Sequence, residues 1–185
     1  MNTALLVIDV QQSFVERPYF TRDGLDGFLQ AQNRLIAGAR DAGWPLVRVL
    51  HEEAGPGNPF DPASGHVRPL DGLAAFEPAI TVRKKRHSAL VGTGLDVWLV
   101  EQGIRRVVVS GIRTEQCCET TARHASDLGW SVVFVPEATM TWDIALADGS
   151  AYPAAEIRRR TAAVLHGRFA EVKSVQEALP HGADR

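Results

Sequence analysis

Val107-Val108-Val109-Ser110-Gly111-Ile112-Arg113-Thr114-Glu115-Gln116-Cys117-Cys118-Glu119-Thr120-Thr121-Ala122 passes from an unbroken apolar run, through a glycine, into residues of helical character. Such a run is a strand buried on both faces, and the glycine permits a sharp turn into the next helix. The first turn of a helix leaves backbone N–H groups without partners at the positive end of its dipole. With Thr114 as N-cap, Cys117 falls at the third helical position. A helix terminus favours an anion by roughly 0.3–1 kcal/mol. With a nearby ammonium it can bring a thiol from about 8.5 into the range of about 3.5–7.5. The plain alternative is a buried structural cysteine, as most free cysteines are. Cys118 fits that alternative, because Cys118, Ala122, Ala125 and Leu128 make one packing face, and Cys117 lies off it.

Working outward, strand-like and helix-like segments alternate. Ala4 to Val10, Leu46 to Leu50, Ile80 to Val82, Arg106 to Ser110, Ser131 to Val135 and Phe169 to Val172 read as strands. Helical spacing recurs from Leu25 to Ala39, Leu95 to Gln102, Glu115 to Leu128, Ala154 to Leu165 and Ser174 to Leu179, with Gly43, Gly103 and Gly129 as stops and Pro153 as a start. Strand, helix, strand with short links predicts a mostly parallel six-stranded sheet between two helix layers, a three-layer α/β/α fold. The exception is a Gly/Pro-rich stretch between His51 and Pro78, and a loop that long is usually functional.

Open sheets of this kind bind ligands at the carboxyl ends of their strands. Asp9, Lys84 and Cys117 all fall at such ends, so the topology brings three distant residues to one rim. Asp9 is either a turn residue or a base held beside the thiol. Arg83-Lys84-Lys85-Arg86 reads as a solvated run in which Lys84 alone shares the phase of Ile80 and Val82. An inward Lys84 would pair with Asp9 and act on the sulfur.

The chain has 185 residues, 45% hydrophobic and 23% charged, with a formal net charge of -2. That length suits one domain, residues 1–185, and the charge gives no general attraction to nucleic acid or an anionic membrane. Two adjacent cysteines make no disulfide framework, and no secretory or membrane-spanning run is present, so a cytoplasmic protein is expected. His51, His66, His87 and His124 lack metal-ligand spacing. Neither a GxxxxGK[ST] loop nor a GxSxG elbow occurs. No metal and no cofactor is expected.

Leu5-Leu6-Val7-Ile8-Asp9-Val10-Gln11-Gln12-Ser13-Phe14, Lys84-Lys85-Arg86-His87-Ser88-Ala89-Leu90 and Gly111-Ile112-Arg113-Thr114-Glu115-Gln116-Cys117 together resemble the isochorismatase-like cysteine hydrolase superfamily, over nearly the whole chain. The resemblance implies a catalytic Asp9, Lys84 and Cys117. It also implies a non-proline cis peptide at Ile112-Arg113 and an oxyanion hole from the backbone N–H groups of Arg113 and Cys117. The activity it implies is hydrolysis of a small amide, carbamoyl or ureido compound through an acyl-thioenzyme. Members that cleave a vinyl ether lack this cysteine. Those that hydrolyse nicotinamide use a metal near an Asp-x-His absent after Leu50.

Arg113 stands where the family has a small residue. Either it binds a substrate carboxylate or it points into a subunit interface. Phe14, His51, His87 and Trp142 are candidate pocket walls. The expected partners are a small amide-type substrate, water and further copies of the chain in a homodimer or homotetramer. Two other readings are a thiol-redox protein pairing Cys117 with Cys118, against which the strain of a vicinal disulfide argues, and a catalytically idle domain of the same fold.

Overall fold

The structure, a computed structural model, describes residues 2–180. Its sheet strands are β1 (Thr3–Ile8), β2 (Leu46–His51), β3 (Ile80–Lys84), β4 (Arg106–Ile112), β5 (Ser131–Met140) and, after a small hairpin of β6 (Ile144–Ala145) and β7 (Ala151–Tyr152), β8 (Glu171–Val172). The helices are α1 (Leu25–Asp41), α2 (Leu95–Glu101), α3 (Glu119–Asp127), α4 (Ala154–Leu165) and α5 (Val175–Ala178). The six-stranded sheet has the order β3-β2-β1-β4-β5-β8, and every pair in it is parallel.

β1 is buried along its whole length, so both faces must be apolar, as its sequence is. Its side chains divide by alternation. Leu5 and Val7 join a core with Phe28, Leu35 and Ile36 of α1, while Ala4, Leu6 and Ile8 join one with Leu95 and Leu99 of α2, Ala122 of α3 and Leu165 of α4. That division is the three-layer arrangement. The chain proceeds from β1 toward β2 and β3 on one side, then returns to place β4, β5 and β8 on the other. The crevice at the carboxyl ends of β1 and β4 is therefore the topological switch point, where such sheets open to ligands.

One close approach shapes that crevice. Ile8 and Gly111 are register partners on β1 and β4, and Gly111 has φ of 127°. A Cβ on Gly111 would collide with the backbone carbonyl of Ile8. Only glycine lets the end of β4 come this near the residue preceding Asp9.

Several elements depart from the sequence reading. β4 and β5 run past Ser110 and Val135, because their later residues still pair: Gly111 with Thr139 and Ile112 with Met140, beyond an irregularity after Val109. The β6–β7 hairpin was not expected, since two-residue strands carry no period. Between His51 and Pro78 the loop holds a short 3-10 turn, Pro62–Ser64, capped by Asp61, whose carboxylate accepts from the N–H of Ala63.

Candidate active site

Asp9 follows β1 with a left-handed backbone, φ 52°, which Asp tolerates better than most residues. Its N–H donates to the Val49 carbonyl at 2.9 Å and its own carbonyl accepts from Gln11 at 2.8 Å, so the chain turns sharply off the sheet. Lys84 closes β3, where Val82 and Lys84 are buried and Thr81 and Arg83 exposed. The predicted inward phase of Lys84 is the observed one, and Arg83 stays outside, paired with Glu52.

Cys117 lies in a single π turn, Thr114–Cys118, ahead of α3. The Arg113 carbonyl accepts from Gln116 at 3.2 Å and from Cys118 at 3.1 Å, passing over Cys117. Such turns recur at functional sites. The helix expected over Glu115 to Leu128 is thus corrected at its start. Arg113 occupies the cap position with no side-chain cap bond, while the Thr114 hydroxyl donates to Thr139 Oγ1 at 2.9 Å. The extension of β5 supplies that acceptor, and Thr114 turns to the sheet instead of capping. The Ile112-Arg113 peptide bond is cis.

Lys84 Nζ lies 2.7 Å from Asp9 Oδ2 in an ion pair with both side chains wholly buried. The same nitrogen donates to Cys117 Sγ at 3.3 Å and lies 3.3 Å from His51 Nδ1. Burial by itself would lower the Lys84 pKa, but the Asp9 carboxylate and the Cys117 sulfur outweigh it and hold the ammonium above its ordinary value. Burial raises the Asp9 carboxyl, with Lys84 opposing.

Burial, followed by the Asp9 charge, pushes the Cys117 thiol up to about 12, with Lys84 opposing. That corrects the expectation of a depressed thiol. At 7% exposure beside a carboxylate, the cost of an unhydrated thiolate exceeds what a helix terminus and one ammonium return. In the free protein Cys117 is a thiol with the Asp9 carboxyl group beside it. Cys118 is wholly buried among Ala122, Ala125 and Phe134, a packing residue, which removes the support for a Cys117–Cys118 redox pair.

Arg113 also requires correction. Its side chain is buried, Nε 3.1 Å from Glu115 Oε1 and donating to Thr141 Oγ1 at 3.1 Å, with a terminal nitrogen donating to the Trp142 carbonyl at 3.1 Å. The Tyr19 ring lies 5.0 Å from its guanidinium carbon. A guanidinium held this way inside the fold does not extend outward into a subunit interface.

Of the other candidate walls, Phe14 and Trp142 are stacked, centroids 5.7 Å apart, and belong to the core on the α1 side. His51 and His87 instead line a cleft of about 410 Å³ with Glu53, Lys85 and Arg86. A larger cavity of about 730 Å³ sits among Thr3, Trp44, Pro78 and Ile104 at the opposite, amino end of the strands, so size does not mark the site. His66 Nδ1 lies 3.9 Å from Glu16 Oε1. Among the described residues no group of three His, Cys, Asp or Glu side chains is placed to hold a metal ion, and no helix is long and apolar enough to cross a membrane.

Two residues the sequence reading passed over support the site. The Gln11 amide grips the His51 backbone at both ends: Oε1 accepts from the His51 N–H at 2.8 Å and Nε2 donates to the His51 carbonyl at 3.1 Å. Glu119, two residues after Cys117, accepts from Arg123 at 3.0 Å, from Arg160 at 2.7 Å and from Thr161 at 3.0 Å, which ties the Cys117 segment to α4. Gln11 was detectable as a polar residue just past a buried strand; Glu119 looked like any charge on a helix surface.

The isochorismatase domain model matches residues 3–168. A streptothricin hydrolase of Streptomyces noursei is 32% identical over 185 residues, covering 97% of this chain and 69% of that protein. The ureidoacrylate amidohydrolase RutB of Variovorax paradoxus is 28% identical over 75% of this chain and 68% of its own. Among solved structures, an isochorismatase from Pseudomonas putida KT2440 superposes with a TM-score of 0.86 at 31% identity, over 95% of this chain and 89% of its own.

Proposed function

The chain belongs to the isochorismatase family, and from that premise we propose that it cleaves a small amide, carbamoyl or ureido C–N bond through Cys117, Asp9 and Lys84. It is a hydrolase. The observation that carries the proposal is the buried contact set around Lys84 Nζ, 2.7 Å from Asp9 and 3.3 Å from Cys117, at the switch point of the sheet.

With the thiol neutral, attack and deprotonation are coupled. The Asp9 carboxylate takes the Cys117 proton as the sulfur bonds to the substrate carbonyl carbon. The carbonyl oxygen becomes an oxyanion held by the backbone N–H groups of Arg113 and Cys117. Asp9 then gives its proton to the departing nitrogen, the C–N bond breaks, and an acyl-thioenzyme with free ammonia or amine remains. A water deprotonated by Asp9 attacks the thioester, releases the acid and restores the thiol. Lys84 favours the ionised carboxylate before attack and orients Asp9 through each transfer.

Of the two named relatives, one is by its description an amidohydrolase of a ureido compound and the other a hydrolase, which supports this bond class. Ammonia release across a panel of small amides and ureido acids, with Cys117→Ala as control, tests the proposal. Turnover on at least one of them, abolished by the substitution, is expected; equal turnover by the variant rejects the role of the sulfur.

A further inference from the structure

Building on the proposed hydrolysis, we infer that His51 holds its single proton on Nε2 and offers it to an acceptor oxygen on the acyl part of the substrate. The argument begins at Lys84. An ammonium group has three donors and no acceptor. Its neighbours are Asp9 Oδ2 at 2.7 Å, Cys117 Sγ at 3.3 Å and His51 Nδ1 at 3.3 Å. Nδ1 therefore accepts, and a ring that accepts at Nδ1 and remains neutral carries its proton on Nε2.

The surroundings keep the ring neutral. Burial, then the Lys84 ammonium, lowers the His51 pKa to about 4, with His87 adding to that and Glu53 and Glu52 opposing. Position is fixed as well. Gln11 holds the His51 backbone from both sides, and the Phe60 ring packs edge-on with centroids 5.5 Å apart. Lys84 thus occupies one ring nitrogen, and His51 lines the cleft of about 410 Å³ beyond it.

A fixed N–H donor at the cleft selects substrates that carry an acceptor oxygen besides the scissile carbonyl. Ureido acids and amides of oxo or carboxylic acids have one; plain alkyl amides do not. A site built to donate rejects the ligand that lacks the acceptor, because a donor that the ligand shields from water is then left unpaired.

The test uses the full chain with N-carbamoylglycine and butyramide as probes. Nitrogen-15 histidine spectra at neutral pH are expected to show His51 protonated at Nε2 alone, and its Nε2–H signal to move with N-carbamoylglycine but not with butyramide. A proton on Nδ1, a doubly protonated ring, or an unmoved signal overturns the inference. His51→Asn keeps an oxygen where Nδ1 accepts from Lys84 and removes the Nε2–H, since its shorter amide has no atom at that position. The ratio of kcat/KM for the two probes is expected to fall about tenfold, mainly through KM; an unchanged ratio overturns the inference. Failure to hydrolyse any amide would sink the proposed function while the spectra still report on His51.

Discussion

Lys84 and Asp9 meet inside the protein, Nζ to Oδ2 at 2.7 Å, with neither side chain exposed to solvent. A buried charge without its partner costs more than the pair returns, so the two residues separate stability from chemistry. Lys84→Met is expected to lower stability by about 3–5 kcal/mol, because it strands the carboxylate. Asp9→Asn with Lys84→Met together is expected to recover most of that loss and none of the activity, each single variant losing about 10²–10⁴-fold in rate. Chemical denaturation and ammonia release on the same samples measure both; a double variant that regains turnover contradicts the assignment.

A second expectation concerns the pH–rate profile. The step needs Asp9 ionised and Cys117 protonated. Burial raises the Asp9 carboxyl above its ordinary 3.8, and Cys117 stays a thiol until pH approaches about 12. The acid limb of kcat/KM should therefore lie above the usual aspartate range, with no second rise near neutrality from a forming thiolate. An activity that tracks ionisation of a thiol near pH 7 would count against the coupled transfer.

Stability should respond to Cys117 and to His51. Cys117 has a folded pKa near 12 against an ordinary 9.0, so the unfolded chain loses that proton first and stability declines as pH rises above 9.0. His51, lowered from 6.5 to about 4, works in the other direction: the unfolded chain takes up a proton first, and stability declines as pH falls below 6.5. Thermal melts across pH should show both limbs. Cys117→Ala should make the alkaline one shallower, the contributions of Cys118 and Lys84 remaining, and leave the acid one in place.

Gly111 and Gly38 make a matched pair. A Cβ on Gly111 meets the Ile8 backbone carbonyl at a positive φ, whereas one on Gly38 meets the flexible end of the Leu179 side chain. Gly111→Ala is expected to cost about 1–3 kcal/mol or more and to disturb the site, since overpacking against backbone has no easy relief. Gly38→Ala should cost less. Denaturation midpoints compare them, and equal losses would argue against a rigid approach of β1 and β4.

Arg113→Ala is expected to weaken turnover on neutral and anionic amides alike, because its guanidinium is engaged with Glu115, Thr141 and Trp142. Kinetics on paired neutral and anionic substrates check this. A loss confined to anionic ones would restore a carboxylate-binding role.

What the sequence disclosed was whatever one local rule could carry. The phase of β3 turned Lys84 inward and left Lys85 outside, and the apolar runs located the sheet and its crevice. Properties that depend on distant parts of the chain were hidden. The Cys117 thiol rises because β1 and β3 bring Asp9 and enclosing walls around it. Arg113 is retained by Thr141 and Trp142, beyond the end of β5. Thr114 gave up its capping role because Thr139 lay within reach, a contact that required β5 to extend past Val135.

The most direct test of the Asp9–Lys84–Cys117 assignment is the intact mass of the protein quenched during turnover of an amide substrate. A covalent adduct equal to the acyl fragment, located on Cys117 by peptide mapping and lost in Cys117→Ala, is the expected result. Steady turnover with no such adduct, in a Cys117→Ala protein as active as the native one, would contradict it.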